Sequence, residues 1–381
     1  MSWSEAGETC FARWRSERGA PPPKRVVIAD DSMTADVAYR LACEGTALLW
    51  QGDFQNARQL LLALVRRVVR KQRTPRSSPT ALPAVSSTIS PTDVFHLYRQ
   101  TRSQRARTLG MLLIPLADDY SVPLRRAPDV RQACIEVYGP GQERYVISLR
   151  ELLGLIGAHE WRKEGIEILA LGGRIHPHYG VFAPVRSEYV SLVAAAPLPA
   201  PKLLLAFDIG TGTGVLAAVL ARRGVTRIVA TERDPRALVC ARENIARLSL
   251  AGQVEVVQAD LFPEGRAALI VCNPPWIPGR PSSPLEHAIY DLESRMLREF
   301  IGGLAAHLEP GGEGWLVLSD IAEHLGLRSR AELLAMFDAA GLKVAGRSDV
   351  SPNHPKVADV TDPLHAARAA ELTSLWRLVA R

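Results

Sequence analysis

The sequence predicts a C-terminal α/β domain built on a parallel sheet with helices on both faces, preceded by a mostly helical α+β domain. Three observations support this prediction. The 381 residues are too many for one domain of average size. From Lys202 onward, strand-like apolar segments alternate with helical segments, which is typical of a doubly wound sheet. No such alternation occurs in the first 160 residues. We therefore predict domains at 1–160 and 161–381.

The C-terminal domain contains seven segments with the apolar character of buried strands. Helical segments such as 215–224 and 235–250 separate the earlier ones, so the connections have the length that parallel strands require. In chain order, the predicted strands lie within 203–210, 226–232, 253–260, 268–275, 312–320, 342–349 and 373–381. Ahead of them, 166–196 predicts a short hairpin leading into a helix that starts near Arg186.

The N-terminal domain has a less regular pattern. Apolar residues at three- and four-residue spacing predict an antiparallel helix pair over 34–73, interrupted near Gly52. The next segment, 74–92, is dense in Pro, Ser and Thr and predicts a linker. A helix is predicted from 94 and a strand at 131–139, after which helix resumes.

Composition excludes few classes of function. Apolar residues make up 47% of the chain and charged residues 23%, which is ordinary for a globular protein. The five cysteines show no CxxC spacing, so neither a zinc knuckle nor a disulfide framework is predicted. The N-terminus lacks the apolar core of a signal peptide, and no later apolar run is long enough to span a membrane. We therefore expect a cytoplasmic protein with no membrane contact.

Basic residues, mostly arginine, give the chain a net charge of +6 and a pI near 9.2. Such a balance favours an acidic partner such as RNA. The densest basic run comprises Arg66, Arg67, Arg70, Lys71, Arg73 and Arg76, and a second comprises Arg99, Arg102, Arg105 and Arg107. Runs of this kind are usually solvated helix faces. The alternative is salt-sensitive contact with RNA phosphates.

A glycine-rich stretch, DIGTGTG at 208–214, lies between the first predicted strand and the helix after it. Glycines here permit a tight turn and a close approach of a ligand to the backbone. The spacing differs from the dinucleotide pattern GxGxxG, so a bound pyrophosphate is not implied. A turn without function is the alternative. The candidate cofactor-binding residues of the stretch are Asp208, Gly210, Thr211, Gly212 and Gly214.

Glu232 ends the second predicted strand and is a candidate for binding ribose hydroxyls. It lies slightly farther along the chain than the roughly 20-residue offset at which an acid usually takes this role. Asp234 is the competing candidate. Because proline follows it, Asp234 is better interpreted as the cap of the next helix.

The tetrapeptide Asn273-Pro274-Pro275-Trp276 follows the fourth predicted strand, at the sheet edge where open α/β sheets bind ligands. An amide or exocyclic amine nitrogen is a poor nucleophile because its lone pair is delocalised. The Asn273 side-chain oxygen and the Pro274 backbone oxygen could accept its two N–H bonds and hold it in line for transfer. The prolines stiffen the loop, and Trp276 offers a face for stacking a planar group. These four are the candidate catalytic residues; an ordinary proline turn is the alternative.

Together, the two motifs resemble class I methyltransferases that use S-adenosylmethionine to methylate a planar nitrogen, over residues 165–350. The resemblance implies a Rossmann-like seven-stranded sheet and S-adenosylmethionine as cofactor. It implies that the glycine loop packs against the methionine part of the cofactor and that Asp208 supports that end. It also implies that Asp260 lies near the adenine amino group, with the Leu261 backbone amide on the ring, and that Asn273 borders the cofactor.

The sequence resembles the glutamine N5-methyltransferases of release factors and ribosomal proteins most, and it also resembles the rRNA guanine-N2 methyltransferases. The leading hypothesis is methylation of a glutamine amide in a translation-related protein, with 1–160 recognising the substrate. Trp276 departs from the tyrosine usual in the glutamine-methylating group. The alternative is an exocyclic amine, guanine N2 or adenine N6, in RNA. A small-molecule substrate and a non-catalytic cofactor-binding module stay open. Candidate RNA contacts are Arg66, Arg67, Arg70, Lys71 and Arg73.

His176 and His178 are too few for a metal site, because no third ligand is near them in the sequence. No metal is predicted, and we expect these histidines to have structural or substrate-contacting roles.

Overall fold

The computed structural model describes residues 1–5, 7–73, 89–199, 203–353 and 357–381. They form two compact units: Met1–Ile89 with His96–Glu160, and Ser90–Phe95 with Trp161–Arg381. Most of the predicted linker, including Arg76, lies outside the described residues. The assignment of substrate recognition to 1–160 stays a prediction.

The first unit contains a five-stranded mixed sheet and a separate two-stranded hairpin. The strands of this part of the chain are β1 (Ser2–Glu5), β2 (Glu8–Phe11), β3 (Arg13–Trp14), β4 (Arg25–Ala29), β5 (Thr46–Trp50), β6 (Leu112–Leu116) and β7 (Tyr145–Ser148). The helices are α1 (Ala35–Cys43), α2 (Phe54–Arg73), α3 (Pro91–Leu109), α4 (Arg131–Tyr138) and α5 (Leu149–Glu164). The sheet order is β3-β7-β6-β5-β4, in which only the β6–β7 pair is antiparallel.

The predicted helix pair over 34–73 is wrong, because β5 separates the two helices. All five residues of β5 are buried. A strand buried on both faces is a continuous apolar run, which periodicity cannot distinguish from a buried helix segment. The predicted strand at 131–139 is also wrong, since this segment forms α4. In short segments, packing overrides the intrinsic preference of β-branched residues.

The second unit is built on a seven-stranded sheet. The strands of the whole unit are β8 (Ile166–Ile168), β9 (Gly173–Ile175), β10 (Leu205–Ile209), β11 (Arg227–Glu232), β12 (Val254–Gln258), β13 (Ala267–Cys272), β14 (Ile277–Pro278), β15 (Tyr290–Asp291), β16 (Leu308–Ser319), β17 (Leu342–Val350) and β18 (Thr373–Ala380). Two short pairs, β8 with β9 and β14 with β15, lie outside the seven-stranded sheet. The helices are α6 (Glu188–Ala195), α7 (Val215–Arg222), α8 (Pro235–Arg247), α9 (Arg295–His307), α10 (Ile321–His324), α11 (Arg330–Ala339) and α12 (His365–Ala370).

The sheet order is β12-β11-β10-β13-β16-β18-β17, and β18 runs antiparallel to both of its neighbours. The predicted Rossmann-like seven-stranded sheet is therefore confirmed. The predicted hairpin is formed by β8 and β9, and α6 follows it. None of the described helices combines the length and hydropathy needed to cross a membrane.

Apolar clusters cover both faces of the sheet, because side chains alternate along each strand. On β13, Leu269 and Val271 belong to the cluster that includes α6, α7 and α8. Ile270, between them, belongs to the cluster that includes α9 and α11. Since the central strands are parallel, the loops that follow β10, β11, β12 and β13 lie along one edge of the sheet. That edge carries the candidate site.

Candidate active site

The glycine turn connects β10 to α7 through three residues with left-handed backbone angles. The φ values are 69° at Gly210, 58° at Gly212 and 83° at Gly214, a region that favours glycine. A Cβ at Gly210 would lie 2.6 Å from Met296 Cε, whereas a Cβ at Gly212 would have no neighbour within 4 Å. The outer side of Gly212 is therefore open enough for a ligand to approach the backbone.

Asp208 lies beneath this turn and is almost completely buried. Its carboxylate accepts hydrogen bonds from Thr211 Oγ1 at 2.5 Å and from the Ala217 backbone N–H at 3.0 Å. Burial raises the pKa of Asp208 to about 6 despite these two bonds, and the negative charge of Glu232 acts in the same direction. A cation arriving at the turn would favour the ionised form.

Glu232, the last residue of β11, is tied to the glycine turn. One carboxylate oxygen accepts from the Gly212 N–H at 3.0 Å, and the other accepts from the N–H groups of Arg233 and Asp234 at 2.8 and 2.9 Å. Asp234 caps α8 by accepting from the Arg236 and Ala237 N–H groups, so the helix-cap interpretation is confirmed. Ribose binding by Glu232 stays a prediction.

Asp260 and Leu261 follow β12 on the same edge. Asp260 is exposed and forms ion pairs with Arg295 at 3.3 Å and Arg233 at 3.8 Å. Surface ion pairs contribute little, so a ligand amino group could replace these contacts. Leu261 has a φ of 77°, which is uncommon for a residue with a side chain. The predicted adenine contacts of both residues stay predictions.

The four catalytic candidates follow β13, whose Cys272 pairs in register with Ile209 just before the glycine turn. Pro274 is buried, and the other three are partly exposed. The Trp276 indole N–H donates a hydrogen bond of 2.8 Å to Asn273 Oδ1. Asn273 Oδ1, the predicted acceptor for the substrate, therefore already accepts one hydrogen bond within the protein. An amide oxygen has two lone pairs, so it can still accept a second N–H.

Trp276 in turn contacts a charged side chain that sequence reasoning missed. The Arg186 guanidinium carbon lies 5.5 Å from the centre of the indole ring, and Arg186 Nη2 donates to Glu371 Oε1 at 3.2 Å. Glu371 is 2% exposed and also accepts from the Ser319 hydroxyl at 2.7 Å. Neither Arg186 nor Glu371 belongs to a sequence motif. Arg186 lies just before α6 and Glu371 lies just before β18, so only the tertiary structure brings them together.

The two histidines have contacts consistent with a structural role. His176 Nδ1 lies 2.8 Å from the Arg162 carbonyl oxygen, and His178 Nε2 lies 2.9 Å from Glu243. Burial alone would raise the pKa of Glu243, but hydrogen bonds from His178 and Arg162 hold that pKa below its ordinary value. In the part of the chain that the structure describes, no three potential metal ligands cluster together.

The first basic run is only partly described. Arg66 is exposed on α2, and Arg67 forms an ion pair with Asp36 at 2.8 Å. The side chains of Arg70, Lys71 and Arg73 lie outside the described residues. RNA contact by this run stays a prediction.

Comparison with known proteins relates this site to a domain family. Residues 172–340 match the family model of the methyltransferase small domain. The chain is 38% identical to a ribosomal protein L11 methyltransferase of Pelotomaculum thermopropionicum, over 38% of this chain and 39% of that protein. It is 33% identical to a release factor glutamine methyltransferase of Cereibacter sphaeroides, over 41% and 58% of the two chains.

A third relative is a tRNA1(Val) (adenine(37)-N6)-methyltransferase of Shewanella loihica, 29% identical over 49% of this chain and 79% of that protein. The chain covers 39% and 43% of two L11 methyltransferase relatives, so it spans about two fifths of their length. The predicted resemblance and cofactor are confirmed for the matched region. Residues 172–340 are thus similar to the methyltransferase small domain, and S-adenosylmethionine is the cofactor that this similarity supports.

Proposed function

We propose that this chain transfers a methyl group from S-adenosylmethionine to a planar nitrogen, and that the leading substrate is a glutamine side-chain amide in a protein of the translation apparatus. The observation that carries the proposal is the position of Asn273, directly after β13 and beside the glycine turn. An acceptor there lies at the edge of the sheet where the cofactor-binding candidates meet.

The residues along this edge fit the proposed cofactor. Gly212 leaves its backbone open, and Glu232 supplies a carboxylate at the end of β11. Asp208 is an acid whose pKa is raised mainly by burial, and a positively charged ligand would favour its ionised form. The bound cofactor would supply a methyl group on a positively charged sulfur. The chain therefore has to position a nucleophile rather than provide an electrophile.

The role proposed for Asn273 and Pro274 follows from the chemistry of an amide nitrogen. When its lone pair forms the bond to the methyl carbon, the nitrogen becomes pyramidal and gains positive charge. The Asn273 Oδ1 and Pro274 carbonyl oxygens would stabilise that charge through the N–H bonds they accept. The electrons of the carbon–sulfur bond would stay with the bound cofactor, which would lose its positive charge. The surplus proton then leaves the nitrogen for solvent, so neither oxygen has to act as a strong base.

The relative named as a release factor glutamine methyltransferase supports a glutamine substrate, whereas the ribosomal protein L11 methyltransferase supports only a protein of the translation apparatus. To test it, ribosomes and release factors are incubated with the chain and methyl-tritiated cofactor, and then treated with nuclease or protease. We expect protein-bound label that survives nuclease, and methylglutamine in its tryptic peptides by mass spectrometry. Label released by nuclease would reject the protein substrate.

A second candidate, methylation of an exocyclic amine in RNA, is favoured by a different observation. In the first unit, burial lowers the pKa of Arg150 to about 10, and the like charges of Arg18, Arg105 and Arg102 lower it further. Arg150 Nη1 has no hydrogen-bond partner among the described residues. Arg102 and Arg105 lie on α3, Arg150 lies on α5 and Arg18 precedes β4, so three segments of the chain contribute to one concentration of positive charge, which suits a phosphate backbone.

An Arg102→Gln/Arg105→Gln double variant tests this candidate. We expect its affinity for ribosomal RNA to fall about tenfold at physiological salt. The slope of log affinity against log salt concentration should become shallower by the amount expected for the loss of about two phosphate contacts. Filter binding across a salt series measures both quantities. Arg131→Gln is the control, because Arg131 is paired with Asp129 at 2.6 Å in the same unit. Equal RNA binding by the double variant and the control would exclude this surface.

A further inference from the structure

We propose that Arg186 and Glu371 are positioning residues for methyl transfer: they hold the Trp276 indole so that its N–H keeps the Asn273 amide oxygen at the acceptor position. This inference rests on the proposed function of Asn273. It adds residues outside both sequence motifs and gives Trp276 a role besides stacking.

An asparagine acceptor has to be oriented because the two ends of its amide have nearly the same shape. Turning the amide by half a rotation exchanges an acceptor for a donor, and a donor would oppose the N–H of a substrate. The indole N–H of Trp276 can only donate, so its 2.8 Å contact is compatible only with Oδ1 on that side. The remaining lone pair of Oδ1 is then available to the substrate.

The indole itself needs support because Trp276 lies in a partly exposed loop. Apolar residues of both sheet faces pack against it. The Arg186 guanidinium, 5.5 Å from the ring centre, adds attraction to the π-electrons. A displaced ring would carry the N–H away from Asn273. Arg186 thus acts on the acceptor through Trp276. We call this series of contacts, from Arg186 through Trp276 to Asn273, the relay.

Glu371 determines where the Arg186 side chain lies. Its buried carboxylate accepts from Arg186 at 3.2 Å and from Ser319 at 2.7 Å. The backbone next to Glu371 is held beside the end of β16. The Leu372 N–H donates to Asp320 Oδ1 at 2.7 Å, and the Asp320 N–H donates to the Leu372 carbonyl. A buried carboxylate with two fixed donors gives the guanidinium a defined position.

A purely structural role would account for the ion pair but not for its placement against the ring. The second unit contains a matched pair for comparison. Arg347 lies 4.7 Å from the centre of the Trp376 ring and pairs with Asp349 at 2.6 Å, on β17 and β18. Arg347→Met and Arg186→Met therefore remove the same type of interaction, but only Arg186 adjoins the catalytic candidates.

The first test follows the indole N–H resonances of the full chain, labelled with nitrogen-15, without cofactor or substrate. Trp276→Phe identifies the Trp276 signal by its loss, and Asn273→Ala gives the position of that signal without its hydrogen bond. We expect Arg186→Met to move the signal toward the Asn273→Ala position and to speed its hydrogen exchange about tenfold. Arg347→Met should leave it in place. An unmoved signal in Arg186→Met would overturn the relay.

The second test measures methyl transfer to ribosomes together with cofactor affinity. Arg186→Met should lower kcat by roughly 10- to 100-fold, as expected for a misplaced reacting group, with unchanged cofactor affinity by calorimetry. Arg186→Lys, which keeps the positive charge, should retain more turnover. In a Trp276→Phe background, Arg186→Met should cause no further loss, because the group through which it acts is gone. Additive losses would contradict the relay.

These results separate the relay from the function on which it rests. If Asn273→Ala keeps its turnover, the proposed role of Asn273 fails whatever the indole signal does. If Asn273→Ala loses turnover but Arg186→Met changes neither signal nor rate, only the relay fails. Arg186→Met alone leaves the buried Glu371 carboxylate without its charged partner. A Glu371→Gln/Arg186→Met double variant leaves no unpaired buried charge, so a loss of turnover in it is not caused by unfolding around such a charge.

Discussion

Asn273→Ala is expected to reduce kcat about 100- to 1,000-fold while the chain still binds S-adenosylmethionine. The magnitude is that of losing one preorganised hydrogen-bonding group at a centre where charge develops. The side chain lies directly after β13, outside the apolar clusters, so its truncation should leave the sheet intact. Single-turnover transfer of labelled methyl groups to ribosomes measures the rate, and calorimetry measures cofactor binding.

Asn273→Asp serves as the matched control for this prediction. It keeps an oxygen that can accept both the Trp276 indole N–H and a substrate N–H, so it should retain more activity than the alanine variant. A wild-type rate in Asn273→Ala would show that the proposed acceptor has no part in transfer. Loss of cofactor binding together with the rate would assign Asn273 to the cofactor instead.

Asp208→Asn is expected to abolish the pH dependence of cofactor affinity that the unmodified chain shows between about pH 4 and 7. The pKa of the buried Asp208 is raised to about 6. A positively charged ligand binds more tightly once this carboxyl is ionised, so affinity should rise with pH by up to about 100-fold, equivalent to a shift of about two pKa units. Calorimetric titrations across the pH range measure the slope.

The same substitution should stabilise the cofactor-free chain at neutral pH. The folded pKa of Asp208 lies above the value of about 3.9 for an unfolded chain. The folded state therefore binds the proton more tightly, and the free energy of unfolding decreases as pH rises from about 4 to 6. At pH 7, ionisation of the buried Asp208 lowers the free energy of unfolding by on the order of 3 kcal/mol. Asparagine removes this ionisation while keeping an acceptor for Thr211 and Ala217.

Asp291→Asn provides the control for both measurements. Burial raises the pKa of Asp291 too, but this residue accepts from the Leu297 N–H at the start of α9 rather than supporting the glycine turn. The Asp291 variant should keep the pH slope of cofactor affinity. A wild-type slope in Asp208→Asn would refute the link between this carboxyl and the cofactor.

The amino-acid sequence was sufficient to predict the C-terminal sheet, because each strand is a short apolar segment with helix between it and the next. The order of acid, glycine and helix at 208–215 likewise predicted a turn, which forms with three left-handed glycines. These features depend on residues close together in the chain. In the first unit the same reasoning failed at β5, because a strand buried on both faces has no alternation to reveal it.

For the candidate site, the sequence by itself determined which residues stand at the ends of β10, β11, β12 and β13, and parallel pairing then places them along one edge. Only the tertiary structure decided what those residues contact. The bond from Trp276 to Asn273 and the contact of Arg186 with both Trp276 and Glu371 depend on side-chain directions and on the adjacency of β16 and β18. Arg186 and Glu371 are far apart in the sequence and come into contact only in the folded chain, so no local sequence pattern predicts this contact.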